Sequence, residues 1–495
     1  MQRSERLKTW WRREAGAAEV LALALPLMIS TSSWTLMHFI DRVFLLWYAP
    51  AALAAALPSS MVGFTVMCFF LGLAAYVNTF VAQYHGARRP ERIGPSVWQG
   101  IWLGLASAPL VLLTAPLAPW IFDLIGHAPA VREMEVVYYQ INTLGAGAMV
   151  VAQAASCFFT GRGQVRTVMV VDSAAAGLNV VLDYVWIFGA LGFPALGIAG
   201  AAWATVAAQV AKMFVYLGLM LLPEFRAAYH TLSGWRPDRE LMGRLLRFGC
   251  PSGMHWLIDV GGFTAFVLLV GRLGEAELAA TSLAFNINAL AFVPIWGVGI
   301  AVTTLVGQRL GEDRPQLAAR GTWTAYALST AYMVVISLAY FLVPHWFMAA
   351  HAVNANPAEF ESLRQTTALL LKFVAAYCVF DTMNIIFISA LRGAGDTRFV
   401  MYTMLAMACV LISVTAVGIE SFGLSLLWAW SVITVWICIL GVMFLTRFLG
   451  GAWTRMRVIE PEFDVASVTL APQPIDQRFD EEDPAGVPLG TGDPA

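Results

Sequence analysis

VNTFVAQYHGARRP, residues 77–90, returns as VTTLVGQRLGEDRP, residues 302–315. The two stretches agree at Val, Thr, Val, Gln, Gly, Arg and Pro, every matched pair separated by the same step as Val77 and Val302. Each closes the second long apolar run of its half. A weaker echo comes after the fourth run of each half: Arg162-Gly163 with Thr167, against Arg392-Gly393 with Thr397. Self-similarity at a fixed period marks an internal duplication, so the chain reads as two homologous halves.

Working outward, apolar segments of about 20 residues or more, enough at 1.5 Å rise each to cross a bilayer, recur from end to end. They lie near 20–46, 50–82, 97–122, 133–160, 167–189, 195–222, 246–271, 277–308, 320–349, 359–390, 399–418 and 422–448. These twelve spans predict an all-α integral membrane protein of two six-helix lobes. Six spans per half leave both halves in the same orientation, a parallel repeat about an axis along the membrane normal, with a cleft between lobes. The domain reading is a basic N-terminus (1–19), an N-lobe (20–222), a linker (223–245), a C-lobe (246–458) and a Pro-, Asp- and Glu-rich tail (459–495) with the composition of a disordered segment. Lys and Arg test the count independently, because positive flanks stay in the cytoplasm. The N-terminus, the loops after spans 2, 4, 6, 8 and 10 and the segment 447–457 hold 23 of the 30, and the opposite loops hold only Arg42, Arg132, Arg272 and Arg364. Both termini are therefore expected inside a bacterial cytoplasmic (inner) membrane. One miscounted span would destroy the bias.

Composition excludes several other classes. Charged residues make up 13% of the chain, against roughly 25% in soluble domains. The net charge of -2 gives no basic field for nucleic acid. The six cysteines sit in apolar runs without C-x-x-C spacing, arguing against a disulfide framework or a zinc site. Arg3, Arg6, Lys8, Arg12 and Arg13 precede an apolar run as in a signal peptide, but no small-residue cleavage site follows, so the run is expected to remain as the first helix. H-E-x-x-H, G-x-S-x-G and the nucleotide-binding G-x-x-x-x-G-K-[ST] are absent, so no enzyme, catalytic residue or cofactor is expected, nor any repeated channel filter.

A charge in the hydrocarbon core costs at least ~2.5–3.5 kcal/mol, which makes intramembrane carboxylates functional candidates. They are Asp41 in span 1, Asp172 and Asp183 in span 5, Asp259 in span 7 and Asp381 in span 10. Asn179 and Asp183, four residues apart, share a helical face, and with Asp41 they would hold a proton or a sodium ion. The alternatives are an end-of-helix ion pair of Asp41 with Arg42, a capping role for Asp183 and an interfacial structural role for Asp172. Tyr377, Asp381 and Asn384 form one stripe of span 10. His255 precedes Asp259 by four and His38 precedes Asp41 by three, positions from which a histidine tunes a carboxyl proton or simply pairs with it. Pro26 removes a helix hydrogen bond and is placed to bend span 1. Met, Phe and Trp, numbering 20, 30 and 18, suit a cavity for varied organic cations, though most must pack helices or face lipid.

From about residue 15 to 458 the chain resembles the multidrug and toxic compound extrusion (MATE) exporters, in particular their NorM/DinF-like bacterial branches. The resemblance rests on HFIDRVF after Pro26, VAQYHGARRPE, VGQRLGEDRP, LNVVLDYVWIFG, PSGMHWLIDVGGF and YCVFDTMNIIFISALRGAGDT, in that order over two halves. It implies the twelve-helix, two-lobe MATE/MOP fold, working as a monomer by alternating access and exchanging small organic substrates for H⁺ or Na⁺ across the lipid bilayer. It also implies a first-lobe cation site at Asp41, Asn179 and Asp183 with Thr205, and a second-lobe acidic cluster at Asp259, Tyr377 and Asp381. Relatives often carry glutamate where Asp259 stands, a departure that makes the first lobe the better coupling site. Lipid-oligosaccharide flippases share the broad fold and are the alternative.

Overall fold

In a computed structural model the described residues are 10–348 and 357–460. Arg3, Arg6 and Lys8 of the basic N-terminus and the tail beyond Glu460 lie outside them. Among the described residues there are helices and turns and no strand, and twelve helices are long and apolar enough to span a membrane. They are α1 (Ala17–Tyr48), α2 (Pro50–Gly86), α3 (Pro90–Ile125), α4 (Pro129–Thr160), α5 (Val165–Phe188), α6 (Ile198–Met220), α7 (Arg239–Gly271), α8 (Glu275–Gly311), α9 (Pro315–Leu342), α10 (Glu361–Ala394), α11 (Thr397–Ser421) and α12 (Leu426–Leu449). The fold class read from the sequence is the one observed.

The repeated stretch explains how α2 and α8 end. Arg89 N–H reaches back to Tyr84 O (2.9 Å) and Arg314 N–H to Arg309 O (2.8 Å), closing both helices with the same six-residue turn. The turn needs a left-handed residue, supplied by Arg88 (φ 57°) and Asp313 (φ 55°), which are equivalent positions of the repeat. Pro90 and Pro315 then open the next segments, where the missing N–H costs nothing.

Packing follows the duplication. In the first half α1 packs on α5, α2 on α4, α3 on α4, α4 on α6 and α5 on α6; in the second half α7 to α12 make the same five pairings in the same order. The lobes meet through α1 on α8, its counterpart α2 on α7, and the ends of α2 and α8 against each other. Glycines allow these crossings. A Cβ on Gly297 would lie 2.7 Å from Met28 N, and one on Gly72 would lie 3.0 Å from Gly253 Cα. The two contacts are related by the repeat, Gly72 being the equivalent of Gly297 and Gly253 that of Met28.

The end where Lys and Arg collect is sealed across the lobes. Gln83 Nε2 donates to Gly393 O (3.0 Å), Gln308 Nε2 donates to Gly161 O (2.8 Å), and Asn78 Nδ2 donates to Thr304 Oγ1 (3.0 Å). After α12, Trp453 stacks on Phe448 with centroids 4.7 Å apart, and Val458 N–H donates to Gln83 Oε1 (2.8 Å). The C-terminal side of the second half is thus tied to the first.

One helix starts earlier than its hydropathy suggests. α7 begins at Arg239, within the segment read as linker, because Asp238 Oδ1 caps it by accepting from Glu240 N–H (2.9 Å) and Leu241 N–H (3.2 Å). The charged first turns hid it from an apolar count. The preceding linker helix, Pro223–Tyr229, is held by Arg162, whose guanidinium lies 4.0 Å from the Phe158 ring centroid, 4.6 Å from Phe225 and 4.3 Å from Tyr229. Burial lowers the affinity of this guanidinium for its proton, and nearby Tyr229 and Glu224 offset part of that effect.

Candidate functional site

Asp41 and Asp183 are both buried inside the first lobe, 4% and 0% exposed, on α1 and α5. The two helices pack along their lengths, and Asn179, one turn before Asp183, is buried between the carboxyls. The amide can face them in two ways. With its oxygen toward two carboxylates it would repel both, so the nitrogen faces in. Asn179 Nδ2 then donates to Asp183 Oδ2 (3.0 Å) and Asp41 Oδ1 (3.0 Å), while its oxygen accepts from Thr205 N–H (3.3 Å) on α6. The Thr205 hydroxyl lies 3.5 Å from the amide. The carboxyls are close enough to hydrogen-bond to one another. Asp41 Oδ2 and Asp183 Oδ1 have no other hydrogen-bond partner among the described residues.

This geometry brings together all four first-lobe residues expected from the sequence. Asp41 is buried while its neighbour Arg42 is exposed, and no ion pair among the described residues joins them, so the end-of-helix pair is not formed. Asp183 lies inside α5 instead of capping it. His38 Nδ1 stands 3.5 Å from Asp41 Oδ2, edge-on to the Trp34 ring at 4.7 Å. Pro26 is buried inside α1, which continues as one helix through it, directly beside the Gly297 crossing. Asp172 has the structural surroundings anticipated for it: Lys212 Nζ at 2.8 Å, the Tyr216 hydroxyl at 2.8 Å and the Ser30 hydroxyl all bond its carboxylate.

The second-lobe residues form a looser set. Tyr377 is buried and its hydroxyl accepts from Asn288 Nδ2 on α8 (3.4 Å). Asn384 Nδ2 points to Asp381 Oδ1 at 3.5 Å, and Asn384 Oδ1 has no partner among the described residues. Asp381 is half-buried and Asp259 is exposed, the two near enough for their charges to interact. His255 is buried with Nδ1 unpartnered, so it does not form the expected bond with Asp259. The reason is position: His255 sits toward Arg392, whose charge it feels, whereas Asp259 one turn on faces open space.

Two residues that sequence reading passed over adjoin the first site. Tyr138 on α4 is buried in the cluster of Leu45, Ile187 and Ala202, within electrostatic reach of Asp41 and Asp183. Glu135, one turn earlier, is 0% exposed. Its place near a span end disguised it as an ordinary flanking charge.

Among the described residues no group of three or more His, Cys, Asp or Glu is placed to hold a metal ion. The sequence model of the MatE family matches residues 26–185 and 251–417, two blocks that begin at equivalent positions of the repeat, Pro26 and Pro251. "Multidrug resistance protein PmpM" of Pseudomonas aeruginosa is 29% identical over 79% of this chain and 81% of its own length. "Probable multidrug resistance protein NorM" of Mesorhizobium japonicum is 27% identical over 89% of this chain and 94% of its own. Among solved structures, an outward-facing multidrug resistance MATE family transporter of the MOP superfamily superposes with a TM-score of 0.81 at 20% identity, covering 91% of this chain and 98% of that one. A MOP superfamily transporter from Pyrococcus furiosus superposes at 0.80 with 20% identity, covering 90% and 98%. With the duplication, the twelve helices and the family match in agreement, this chain belongs to the MatE family of membrane transporters.

Proposed function

We propose that the chain is a proton-coupled exporter of organic, often cationic, small molecules, working by alternating access in a bacterial cytoplasmic membrane with both termini in the cytoplasm, and acting as a monomer. The observation that carries this reading is the Asp41–Asp183 pair. Two carboxyls in contact inside a low-dielectric lobe cannot both stay ionised without a cation. Either a proton is shared between them or a metal ion sits there. A sodium ion needs several oxygens. Here the Asn179 nitrogen is turned toward both carboxyls and its oxygen is engaged by Thr205 N–H. A shared proton satisfies the two carboxyls with the amide in this orientation, whereas a sodium ion would need the amide oxygen turned inward. The carboxyls of Asp259 and Asp381, open where the first-lobe pair is sealed, suit the positive end of a substrate.

Coupling follows from differential affinity: the proton stabilises whichever lobe arrangement binds it better, and only by that difference. α1 carries Asp41 and also packs on α8 of the other lobe, so the state of the carboxyl pair is felt at the seam between lobes. The test is uptake of a fluorescent cationic dye into inverted vesicles under separate H⁺ and Na⁺ gradients. The reading requires uptake with the H⁺ gradient, lost in Asp41→Asn. Uptake with Na⁺ alone would reassign the ion, and uptake unaffected by Asp41→Asn would remove the pair from coupling.

A further inference from the structure

The first lobe holds a third buried carboxyl, on α4 near the helix end remote from the basic face. Glu135 on α4 is 0% exposed, and its Oε1 lies 2.7 Å from His127 Nδ1, on the loop before the helix, a side chain 40% exposed. Glu135 Oε2 is buried with no hydrogen-bond partner among the described residues. A buried carboxyl is costly to leave as an unpaired charge, and the His127 imidazole at 2.7 Å is its partner.

Its surroundings lead inward. Ser59 Oγ on α2 donates to Glu135 O (2.6 Å). Tyr138 is one turn beyond Glu135 on the same face of α4 and lies within reach of the charges of both Asp41 and Asp183. The other charged groups nearby are Arg132, one turn before Glu135 and paired with Asp123 of α3 at 2.6 Å, and the exposed Glu133. Arg132 is thus occupied elsewhere. The stretches of α2 and α6 beside Glu135 and Tyr138 carry no Asp, Glu, Lys or Arg.

We propose that His127 and Glu135 form an outer proton-loading site that feeds the Asp41–Asp183 pair. This rests on the proton-coupled reading above. His127 Nε2 takes a proton from the outer solution while the Nδ1 proton passes to Glu135 Oε1. The imidazole is left neutral as its other tautomer and resets by exchange with water. Glu135, now a neutral carboxylic acid, passes its proton to the Tyr138 hydroxyl as that hydroxyl gives its own to the aspartate pair, so Tyr138 ends with the proton count it began with; one proton enters and one is delivered.

The measurement is proton-gradient-driven dye exchange in proteoliposomes over a series of outer pH values, for wild type, Glu135→Gln, Glu135→Asp and His127→Asn. Glu135→Gln should slow exchange by about tenfold or more, with dye affinity unchanged and the dependence on outer pH flattened. Glu135→Asp should recover part of the rate. If Glu135→Gln does not fold, His127→Asn, at a partly exposed loop position, gives the same readout. Wild-type rates and an unaltered pH profile in the folded variants would overturn the loading site while leaving the coupling pair intact. A slower rate with an unaltered profile would also overturn it, since that marks a merely structural role. Wild-type protein that ignores the proton gradient would instead overturn the coupling reading itself.

Discussion

Replacing Gly311 with alanine should pry the lobes apart at their basic end. Gly311 ends α8 within the second copy of the repeated stretch. A Cβ there would stand 2.2 Å from Gln83 O and 2.9 Å from Ala87 N, backbone atoms of the opposite lobe. The counterpart, Gly86, would place its Cβ 2.0 Å from Gln308 O. Ordinary contact begins near 3.4 Å, so the helices must separate by about an ångström, and backbone cannot rotate away as a side-chain tip would. Overpacking of this kind costs about 1–3 kcal/mol. Alanine returns up to ~1 kcal/mol through its higher helix propensity, which leaves up to roughly 2 kcal/mol against the sealed arrangement, a factor of up to about 30 in its population. The assay is the distance between spin labels at Arg88→Cys and Glu312→Cys, both exposed sites, in a background with the six native cysteines removed. Gly177→Ala is the control, because nothing lies within 4 Å of a Cβ there. An unchanged distance distribution in Gly311→Ala, with the control also unchanged, would refute the claim that glycine contact sets this seam.

Other expectations follow from the same contacts. Gln83→Leu or Gln308→Leu should each lose about 0.5–1.5 kcal/mol and widen the same label distance, with the double variant showing the larger opening. Lys212→Met should lower the thermal midpoint by the equivalent of about 1–3 kcal/mol, less than a fully buried pair would lose because both side chains are about one-fifth exposed; adding Asp172→Asn should restore part of it. Arg162→Ala should release the Pro223–Tyr229 helix, seen as faster proteolysis between residues 223 and 238, while Arg162→Lys, without the planar guanidinium, should recover only part of the protection.

Much of the fold was legible because membrane spans declare themselves by length and charge flanks, and because a duplicated stretch survived. The grouping of the first-lobe residues was also legible: carboxyls in hydrocarbon are rare, and Asn179 and Asp183 share a face by spacing alone. Helix α7 was misjudged at its start because capping by Asp238 extends it through charged turns that an apolar window skips. His255 was placed beside Asp259 by the i, i+4 rule, but helical spacing gives neighbours on a surface and not the rotamers that join them. Glu135 was missed for a different reason. Its partner His127 stands across a loop, before the helix begins, and the burial that gives it meaning comes from α2, which no local pattern reports.

The two halves share structure without sharing chemistry, and that division has mechanistic content. The step from one half to its equivalent in the other takes Gln83 to Gln308, Gly86 to Gly311, Gly72 to Gly297 and Pro26 to Pro251, all of them at or beside contacts that seal or cross the lobe boundary. The same step takes Asp41 to Phe266, a fully buried core residue, and takes Trp34 to Asp259. What was kept in both halves is therefore the seam, and what diverged is the site. A transporter that swings one lobe against the other needs matched contacts on both sides of the swing, so substitution at the seam glycines in either half acts on the same equilibrium. On the proposed reading a coupling ion needs only one site, and sealing it in one lobe would leave the other free to expose its carboxyls to cargo. Exchanging the two roles by moving a carboxylate to position 266 would bury an unpaired charge against the core of α7, with no equivalent of Asn179 at hand to receive it, so that variant should lose stability before it gains any coupling.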